Sequence, residues 1–171
     1  KAADLGNAVA MKNIGYLYDE GLGVSQNYNQ AMQWYRKAAD LGNAAAMNNI
    51  GVLYEDGDGV SQDYDQAMQW YRKAAELGNA LAMKNIGDLY EDGHGVSQDY
   101  EEAMKWFQKA ADLGNAAAMY NIAILYEEGR GVKKDAQEAA RWMELALRAG
   151  SEFARKQMRE NASSWSQSFR V

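Results

Sequence analysis

Apolar residues recur along most of the chain at the spacing of an α-helix. Near the start, Ala10, Ile14 and Leu17 stand four and three residues apart, so one face of a helix would carry all three. The following segment combines small and aromatic residues at a similar spacing: Ala31, Trp34, Tyr35 and Ala38. A Tyr or Trp of one helix can fill the space that Ala or Gly leaves on its neighbour. The pattern therefore predicts pairs of amphipathic helices packed through alternating small and large side chains.

The same residue types mark the predicted helix boundaries throughout. The first helix of each pair follows an Asn, whose side-chain oxygen can accept an otherwise unpaired amide hydrogen: Asn7, Asn43, Asn79 and Asn115. The second helix follows Asn or Asp, with Gln or Glu three residues later at the spacing of a capping box: Asn27, Asp63, Asp99 and Asp135. Glycines such as Gly21 and Gly42 are placed to end the two helices. Connections this short predict antiparallel neighbours.

These helix pairs repeat with a period of 36 residues, and 26 of 36 positions are identical between residues 43–78 and 79–114. One pair cannot bury both of its faces, so the pairs are expected to stack into a solenoid. The predicted organisation is the end of a truncated preceding repeat at 1–6, four repeats at 7–42, 43–78, 79–114 and 115–150, a polar C-terminal capping helix at 151–162, and a tail at 163–171.

A specific residue pattern accompanies the period. One copy reads Ala46-x-x-x-Ile50-Gly51-x-x-Tyr54-x-x-Gly57-x-Gly59-Val60-x-x-Asp63-x-x-x-Ala67-x-x-Trp70-Tyr71-x-x-Ala74-Ala75-x-x-Gly78. The pattern closely resembles the Sel-one-like repeat (SLR), a relative of the tetratricopeptide repeat. The resemblance implies an all-α fold, a right-handed α/α superhelical solenoid of helix-turn-helix repeats. It also implies an adaptor in bacterial envelope, signalling or host-interaction assemblies, with a periplasmic or secreted location favoured over the cytoplasm, although eukaryotic relatives include endoplasmic-reticulum degradation adaptors.

The copies differ in ways that bear on packing. The fourth copy departs from the pattern at four positions: Ala123, Ala136, Met143 and Leu147. Elsewhere Gly51 and Gly87 fall in mid-helix, where glycine is disfavoured by up to about 1 kcal/mol relative to alanine. Close approach of a neighbouring helix is the expected reason for these glycines. We expect Leu to be harmful at Gly87, and Ala to be tolerated there because Ala123 is its natural equivalent.

Composition removes several classes of function. The net charge is -6 and the pI about 4.9, so no basic field is present to hold a nucleic-acid backbone. No apolar run approaches the roughly 20 residues that span a bilayer, which argues against membrane insertion. Cysteine is absent, so disulfides, thiolate catalysis and cysteine zinc sites are excluded.

One stripe of the first helices is diversified between copies. In tetratricopeptide-like folds the first helices line a concave groove, and the resemblance places this stripe there. Its positions recur at i, i+3 and i+7, beginning with Val9 and its equivalents Ala45, Leu81 and Ala117. The candidate partner-binding residues in it are Lys12, Tyr16, Asn48, Val52, Lys84, Asp88, Tyr120 and Ile124. Variation of charge, size and polarity is typical of a binding surface. Drift at unconstrained positions, or contact with an adjoining repeat, is the alternative explanation.

A second stripe does not vary, since it is asparagine in every copy: Asn13, Asn49, Asn85 and Asn121. A side-chain amide both donates and accepts hydrogen bonds, so this row could pair with the backbone of an extended peptide whatever its sequence. Alternatively, each Asn hydrogen-bonds a loop carbonyl of the neighbouring repeat.

No catalytic or metal constellation stands out. The single histidine, His94, occupies a loop position that is Leu22, Asp58 or Arg130 in other copies, as expected for a solvated residue. The recurring Ser61 and its equivalents have no repeated base nearby in sequence. Some cysteine-rich family members have been linked to β-lactam hydrolysis, but this chain lacks cysteine and a Ser-x-x-Lys motif. We therefore predict no enzyme activity, no cofactor and no metal, and keep a hydrolase only as a minor alternative.

The sequence thus predicts a scaffold that holds a peptide segment or protein surface along the groove. The alternative from a different class is a structural array, in which copies associate end to end through the exposed first helix.

Overall fold

The structure is a computed structural model that describes residues 7–159, and within them it is helical with no strand. Residues 1–6 and 160–171 lie outside the described part, and with them the predicted truncated repeat, the last residues of the capping helix and the tail. The helices are α1 (Ala8–Glu20), α2 (Tyr28–Asp40), α3 (Ala44–Asp56), α4 (Tyr64–Glu76), α5 (Ala80–Asp92), α6 (Tyr100–Asp112), α7 (Ala116–Glu128), α8 (Ala136–Arg148) and α9 (152–159). The all-α, helix-turn-helix prediction is confirmed.

Two compact units divide the chain, Lys1–Gln98 with α1 to α5 and Asp99–Val171 with α6 to α9. We call α1, α3, α5, α7 and α9 first-type helices, and α2, α4, α6 and α8 second-type helices. In the first unit, α1 packs on α2 and α3 on α4 within a repeat, while α2 packs on α3 and α4 on α5 between repeats. In the second unit, α6 packs on α7 and α7 on α8. Contacts within and between repeats therefore alternate along each unit.

The predicted N-caps form at the expected residues. The Asn7 side chain accepts a hydrogen bond from the Ala10 amide at 2.9 Å, and the Asp63 side chain accepts one from the Gln66 amide at 2.9 Å. The reciprocal half of a capping box is replaced by a different bond, because the Asp63 amide donates to the Tyr54 carbonyl at 2.8 Å. That carbonyl lies in the last turn of α3, where backbone carbonyls have no amide partner within the helix. One bond thus ties the end of the first helix to the start of the second.

A buried core joins neighbouring repeats in the first unit. Its members come from α2 and α3, with Tyr35 and Ile50 fully buried and Leu53 1% exposed. The small residues around them are Ala31, Ala38, Ala39 and Ala46, together with Met32. The predicted alternation of small and aromatic side chains is therefore the packing of the core.

The mid-helix glycines allow a tyrosine ring to lie against the first helix. A Cβ atom added at Gly51 would stand 2.5 Å from Cε1 of Tyr71, and one at Gly15 would stand 2.6 Å from the Tyr35 ring. Real Cβ atoms do not come this close. Both rings are fully buried, so moving either ring aside would disturb the surrounding packing and destabilise the fold. The close approach predicted for such glycines is confirmed at Gly51. The tolerance of alanine expected for Gly87 therefore does not extend to Gly51.

The loop after each first helix packs on the preceding repeat. Gly59 has a φ of +70°, and a Cβ atom there would lie 2.6 Å from Cβ of Tyr28. Both the left-handed backbone and the short contact require glycine at this position. The second glycine of Gly-x-Gly is therefore part of the contact between repeats as well as a turn residue.

Candidate functional site

The diversified stripe of the first unit is most exposed on α1. Val9 is 58% exposed and Tyr16 44% exposed, while Lys12 between them is half-buried. On α5, Leu81 occupies the position equivalent to Val9 and is 49% exposed. Exposed apolar side chains therefore recur on first-type helices of this unit, at positions where the repeats differ.

The same stripe is partly covered on α3. Asn48 is only 2% exposed, so its side chain offers almost no surface to a partner, and Val52 is half-buried. The Asn48 side-chain oxygen accepts a hydrogen bond from the Asn85 amide nitrogen at 3.1 Å. This bond joins α3 to α5, so Asn48 contacts an adjoining repeat, as the alternative explanation of the diversified stripe proposed. The alternative for the asparagine stripe was a bond to a loop carbonyl, but Asn85 bonds a side chain instead.

Lys84 and Asp88 form an ion pair one turn apart on α5, and their side chains are 24% and 25% exposed. Both positions are therefore only partly exposed to solvent. Burial raises the pKa of Asp88 to about 6, opposed by Lys84 and reinforced by the nearby Glu55 carboxylate. A change of charge at Asp88 consequently affects folding stability as well as any contact with a partner.

The asparagine stripe is used differently from one copy to the next. Asn13 is exposed, whereas Asn49 accepts a hydrogen bond from the Asn48 side chain at 3.5 Å and Asn85 donates to Asn48. Each of these bonds uses one of the several that a side-chain amide can form. The stripe thus has a structural role at Asn49 and Asn85 and faces solvent at Asn13.

In the second unit the equivalent stripe consists of Tyr120 and Ile124, with Asn121 beside it, and all three are half-buried. The Tyr120 hydroxyl donates to the Gln157 side chain at 2.6 Å, and its ring lies 5.9 Å from the Phe153 ring. Gln157 is separated from Tyr120 by the same number of residues that separates Asn85 from Asn48. In both units, therefore, a residue of the diversified stripe bonds the residue at the asparagine-stripe position of the next first-type helix.

Two buried tyrosine hydroxyls donate to carboxylates at the ends of first-type helices. Tyr35 donates to Asp19 at 2.8 Å, and Tyr71 donates to Glu55. Burial, followed by the adjacent carboxylate, raises the pKa of both tyrosines. Burial also raises the pKa of Asp19, although the bond from Tyr35 opposes this. These carboxylates act as acceptors for core hydroxyls, which is a structural role.

Sequence reasoning missed a set of contacts made by the loops. The His94 side chain is exposed, as predicted, but its ring stacks on Tyr64 of the preceding repeat with centroids 4.6 Å apart. At the equivalent position Arg130 lies 5.6 Å from the Tyr100 ring centroid. The tyrosine that recurs at the start of α2, α4 and α6 was the available signal, since the same loop position contacts Tyr64 and Tyr100. These loop residues thus connect repeats.

The chemistry available in the described residues is limited. Between residues 7 and 159, no three His, Cys, Asp or Glu side chains are grouped to hold a metal ion. The helices in that range are too short or too polar to cross a membrane. A cavity of about 480 Å³ is lined by α9 residues: Glu152, Phe153, Arg155, Lys156 and Arg159. Its lining is mainly basic, and His94 is not among these residues.

Comparison with solved structures agrees with this architecture. A Sel1 repeat protein from Oxalobacter formigenes is 40% identical with a TM-score of 0.83, and the match covers 90% of this chain and 63% of that one. A protective antigen with an SLR fold from uropathogenic Escherichia coli is 37% identical with a TM-score of 0.81, covering 90% and 33%. An immunity protein from Pseudomonas aeruginosa is 26% identical with a TM-score of 0.67, covering 90% and 57%. The chain therefore spans less than two thirds of each relative's length.

Among curated proteins none matches the chain. The family model described as the Sel1 repeat matches four consecutive segments, residues 8–43, 44–79, 80–115 and 116–151. Together with the helix pairs, their caps and the glycine-tyrosine contacts, these matches show that the chain belongs to the Sel1 repeat family.

Proposed function

We propose that the chain is a non-enzymatic scaffold that binds a peptide segment or a protein surface on its first-type helices. Sel1 repeat proteins are typically protein-interaction scaffolds, which supports the general assignment. The observation that carries the proposal is the row of exposed apolar side chains on the diversified stripe, namely Val9 and Tyr16 on α1 and Leu81 on α5. A partner that covered them would remove apolar surface from water.

The stripe also supplies polar recognition. Lys12 lies between Val9 and Tyr16 on α1, so a carboxylate of the partner could pair with it beside an apolar anchor. Asn13 is exposed next to it and could bond the partner's backbone. An aromatic anchor with flanking polar groups is the common composition of an interface centre. The preferred ligand is therefore a segment with an apolar residue and a nearby acidic side chain.

Peptides selected from a random display library on the full chain, and then measured by calorimetry, would test this proposal. Tyr16→Ala should weaken a selected peptide about tenfold or more, because aromatic anchors dominate such interfaces. Lys12→Glu should weaken acidic peptides more than neutral ones. Reversing the ion pair with Lys84→Glu and Asp88→Lys should change which peptides bind, while keeping the two charges paired.

The matched control is Leu41→Ala, since Leu41 is 52% exposed but lies in the turn between α2 and α3 and not on a first-type helix. A second control is Gln33→Glu on the exposed face of α2. Both should leave affinity within about twofold. The proposal fails if the controls weaken binding while Tyr16→Ala and Lys12→Glu do not.

A further inference from the structure

The turn that follows each of the second-type helices α2, α4 and α6 exposes a leucine. Leu41 is 52% exposed, Leu77 is 55% exposed and Leu113 is 54% exposed. Each of them is the residue that ends its helix. A single exposed leucine is ordinary on a protein surface, but one that recurs at the same place in three repeats forms a patterned apolar surface.

The backbone of this turn does not require leucine. Gly42 has a φ of +80°, and the Asn43 amide donates to the Ala38 carbonyl at 3.1 Å, which closes α2. In the fourth copy Ala149 stands at the leucine position, and Gly150 after it again has a positive φ. The equivalent amide bond also forms there. Alanine therefore supports the same turn, so the fold gives no reason for an exposed leucine.

The residue before the leucine is acidic, at a place where a helix disfavours negative charge. Asp40 and Glu76 are the last residues of α2 and α4, and both are exposed. The unpaired carbonyls of a helix C-terminus repel a carboxylate and favour a cation. In the fourth copy the equivalent residue is Arg148, which suits the helix end and pairs with Glu144. The copy that lacks the leucine therefore lacks the acidic residue as well.

The two carboxylates of the first unit are available to a partner. Neither Asp40 nor Glu76 forms an ion pair with another residue between 7 and 159. The ammonium groups of Lys37 and Lys73, three residues earlier, lie over tryptophan rings, 4.3 and 4.2 Å from the ring centroids. Each turn thus presents an exposed apolar side chain beside an exposed negative charge.

We propose that residues 40–41 and 76–77, here called the acid-leucine turns, dock a segment of a partner protein in which apolar residues stand beside lysine or arginine. The partner's apolar residues would remove the two leucines from water. Its cations would pair with the carboxylates that the helix ends disfavour, which makes the surface selective for basic segments. The turns lie outside the diversified stripe, so they give the scaffold a second docking surface in addition to the one proposed above.

Three synthetic peptides of equal length would test this assignment on the full chain. One combines Leu and Lys, one Leu and Glu, and one Ser and Lys. The Leu–Lys peptide should shift the amide signals of Gly42 and Gly78 in a saturable way, while Gly150, which follows an alanine, should stay unchanged. The other two peptides should bind about tenfold more weakly or worse. Equal binding of the Leu–Glu peptide, or an equal shift at Gly150, would overturn the proposal.

Substitutions in the turns separate the apolar contribution from the charged one. Leu41→Ala with Leu77→Ala should weaken the Leu–Lys peptide about tenfold or more. Asp40→Arg with Glu76→Arg copies the charge of the fourth repeat and should weaken it similarly, without lowering the thermal midpoint, because a cation suits a helix end. Native affinity in either double variant would overturn the proposal.

Tyr16→Ala separates the two surfaces. It should leave the Leu–Lys peptide within about twofold, whereas peptides selected through the stripe should lose affinity and should not respond to the leucine pair. Loss of the Leu–Lys peptide in Tyr16→Ala, with none in the leucine pair, would overturn the acid-leucine assignment and leave the stripe proposal standing.

Two other occupants would be recognised by the same leucine variants. Light scattering that showed the chain self-associating, and Leu41→Ala with Leu77→Ala abolishing it, would assign the turns to a second copy. Binding to phosphatidylcholine vesicles that the same pair abolished would assign them to a lipid surface. Either outcome would overturn the assignment to a basic segment of a partner protein.

Discussion

Residues 43–78 and 115–150 occupy the same register of the repeat but are packed with different side chains. In the earlier segment, Gly51 makes room for the fully buried Tyr71, whose hydroxyl donates to Glu55. In the later one, Ala123 stands at the glycine position and Met143 at the tyrosine position. The two substitutions belong together. Glycine leaves room for the wide tyrosine ring, whereas the larger alanine is paired with methionine, whose flexible side chain can pack around it.

The polar partners change along with the core. Glu55 is half-buried where it accepts from Tyr71, whereas its equivalent Glu127 is exposed. A methionine has no hydroxyl to satisfy, so the later segment has no need of a buried acceptor. The comparison shows that the glycine and the tyrosine change together, while the carboxylate is Glu in both segments and is half-buried in the one where it accepts from a hydroxyl.

The largest effects should come from variants that place one residue of the pair Ala123 and Met143 in the segment that has Gly51 and Tyr71. Gly51→Ala should destabilise the chain by about 1–3 kcal/mol, because its Cβ meets the Tyr71 ring. Tyr71→Met should cost about 2–4 kcal/mol, since it removes ring volume and leaves Glu55 without its donor. Combining them should cost less than the sum by about 1 kcal/mol or more, and urea unfolding of all four proteins would measure this coupling. Strict additivity would show that the pairing of Ala123 with Met143 has no packing basis.

An intermediate effect concerns pH, and it is specific to the first unit because Ile124 stands where Asp88 does. The pKa of Asp88 is raised from 3.8 to about 6. The folded protein therefore binds this proton more tightly than the unfolded chain does. Its stabilising contribution is complete below 3.8 and is lost as pH rises through about 6. The loss is about 3 kcal/mol, because one pKa unit corresponds to about 1.4 kcal/mol.

Urea unfolding between about pH 4 and pH 7 would test this dependence. Asp88→Asn cannot titrate, so its stability should fall less than that of the native chain over this range. Val52→Asn, at the equivalent position of α3, is a suitable control, because it introduces the same amide without removing a titratable group, so its pH slope should be native. Parallel curves for Asp88→Asn and the native chain would contradict the assignment.

A smaller effect tests what the two segments share. Asp63 caps α4 and Asp135 caps α8, each by accepting amide hydrogen bonds. Asp63→Ala and Asp135→Ala should each cost about 1 kcal/mol, since the cap does not depend on the core. Denaturation midpoints would measure both, and an unchanged midpoint for either variant would place the helix start elsewhere.

The smallest effect concerns a surface contact that one segment lacks. The Lys73 ammonium lies 4.2 Å from the centroid of the Trp70 ring, while Leu145 occupies the lysine position beside Trp142. Lys73→Leu should therefore cost about 0.5 kcal/mol, and Lys73→Arg should retain most of the contact. Thermal midpoints of the two variants can be compared, and a greater loss for Arg than for Leu would contradict a cation–π contribution.

Local features of the fold were predictable because they depend on residues close in sequence. An asparagine at a helix start and a glycine after a helix end act within one turn, so Asn7, Asp63 and Gly21 could be identified without tertiary information. The period of the repeat then indicated that equivalent helices would have equivalent neighbours. Both conclusions rest on patterns that repeat four times, and the helices agree with them.

The candidate site was less predictable, because exposure depends on which helices meet. A stripe that varies in charge, size and polarity indicated a surface, yet Asn48 is buried and bonds Asn85, and Lys84 and Asp88 are partly covered. Spacing along one helix cannot distinguish a residue that faces solvent from one that faces the next repeat. The exposed members on α1, Val9 and Tyr16, were distinguished only by their exposure in the folded structure.

The sequence by itself determined the helix pairs, their caps, the period and the family, since each is encoded by short-range patterns and by their repetition. Tertiary structure alone decided why Gly51 is glycine, where the Tyr71 hydroxyl finds its acceptor, and that the loop residue His94 stacks on Tyr64. These contacts join residues from different helices or from different repeats. Their geometry follows from how close the helices approach, and that distance is set only when the side chains of both elements pack together.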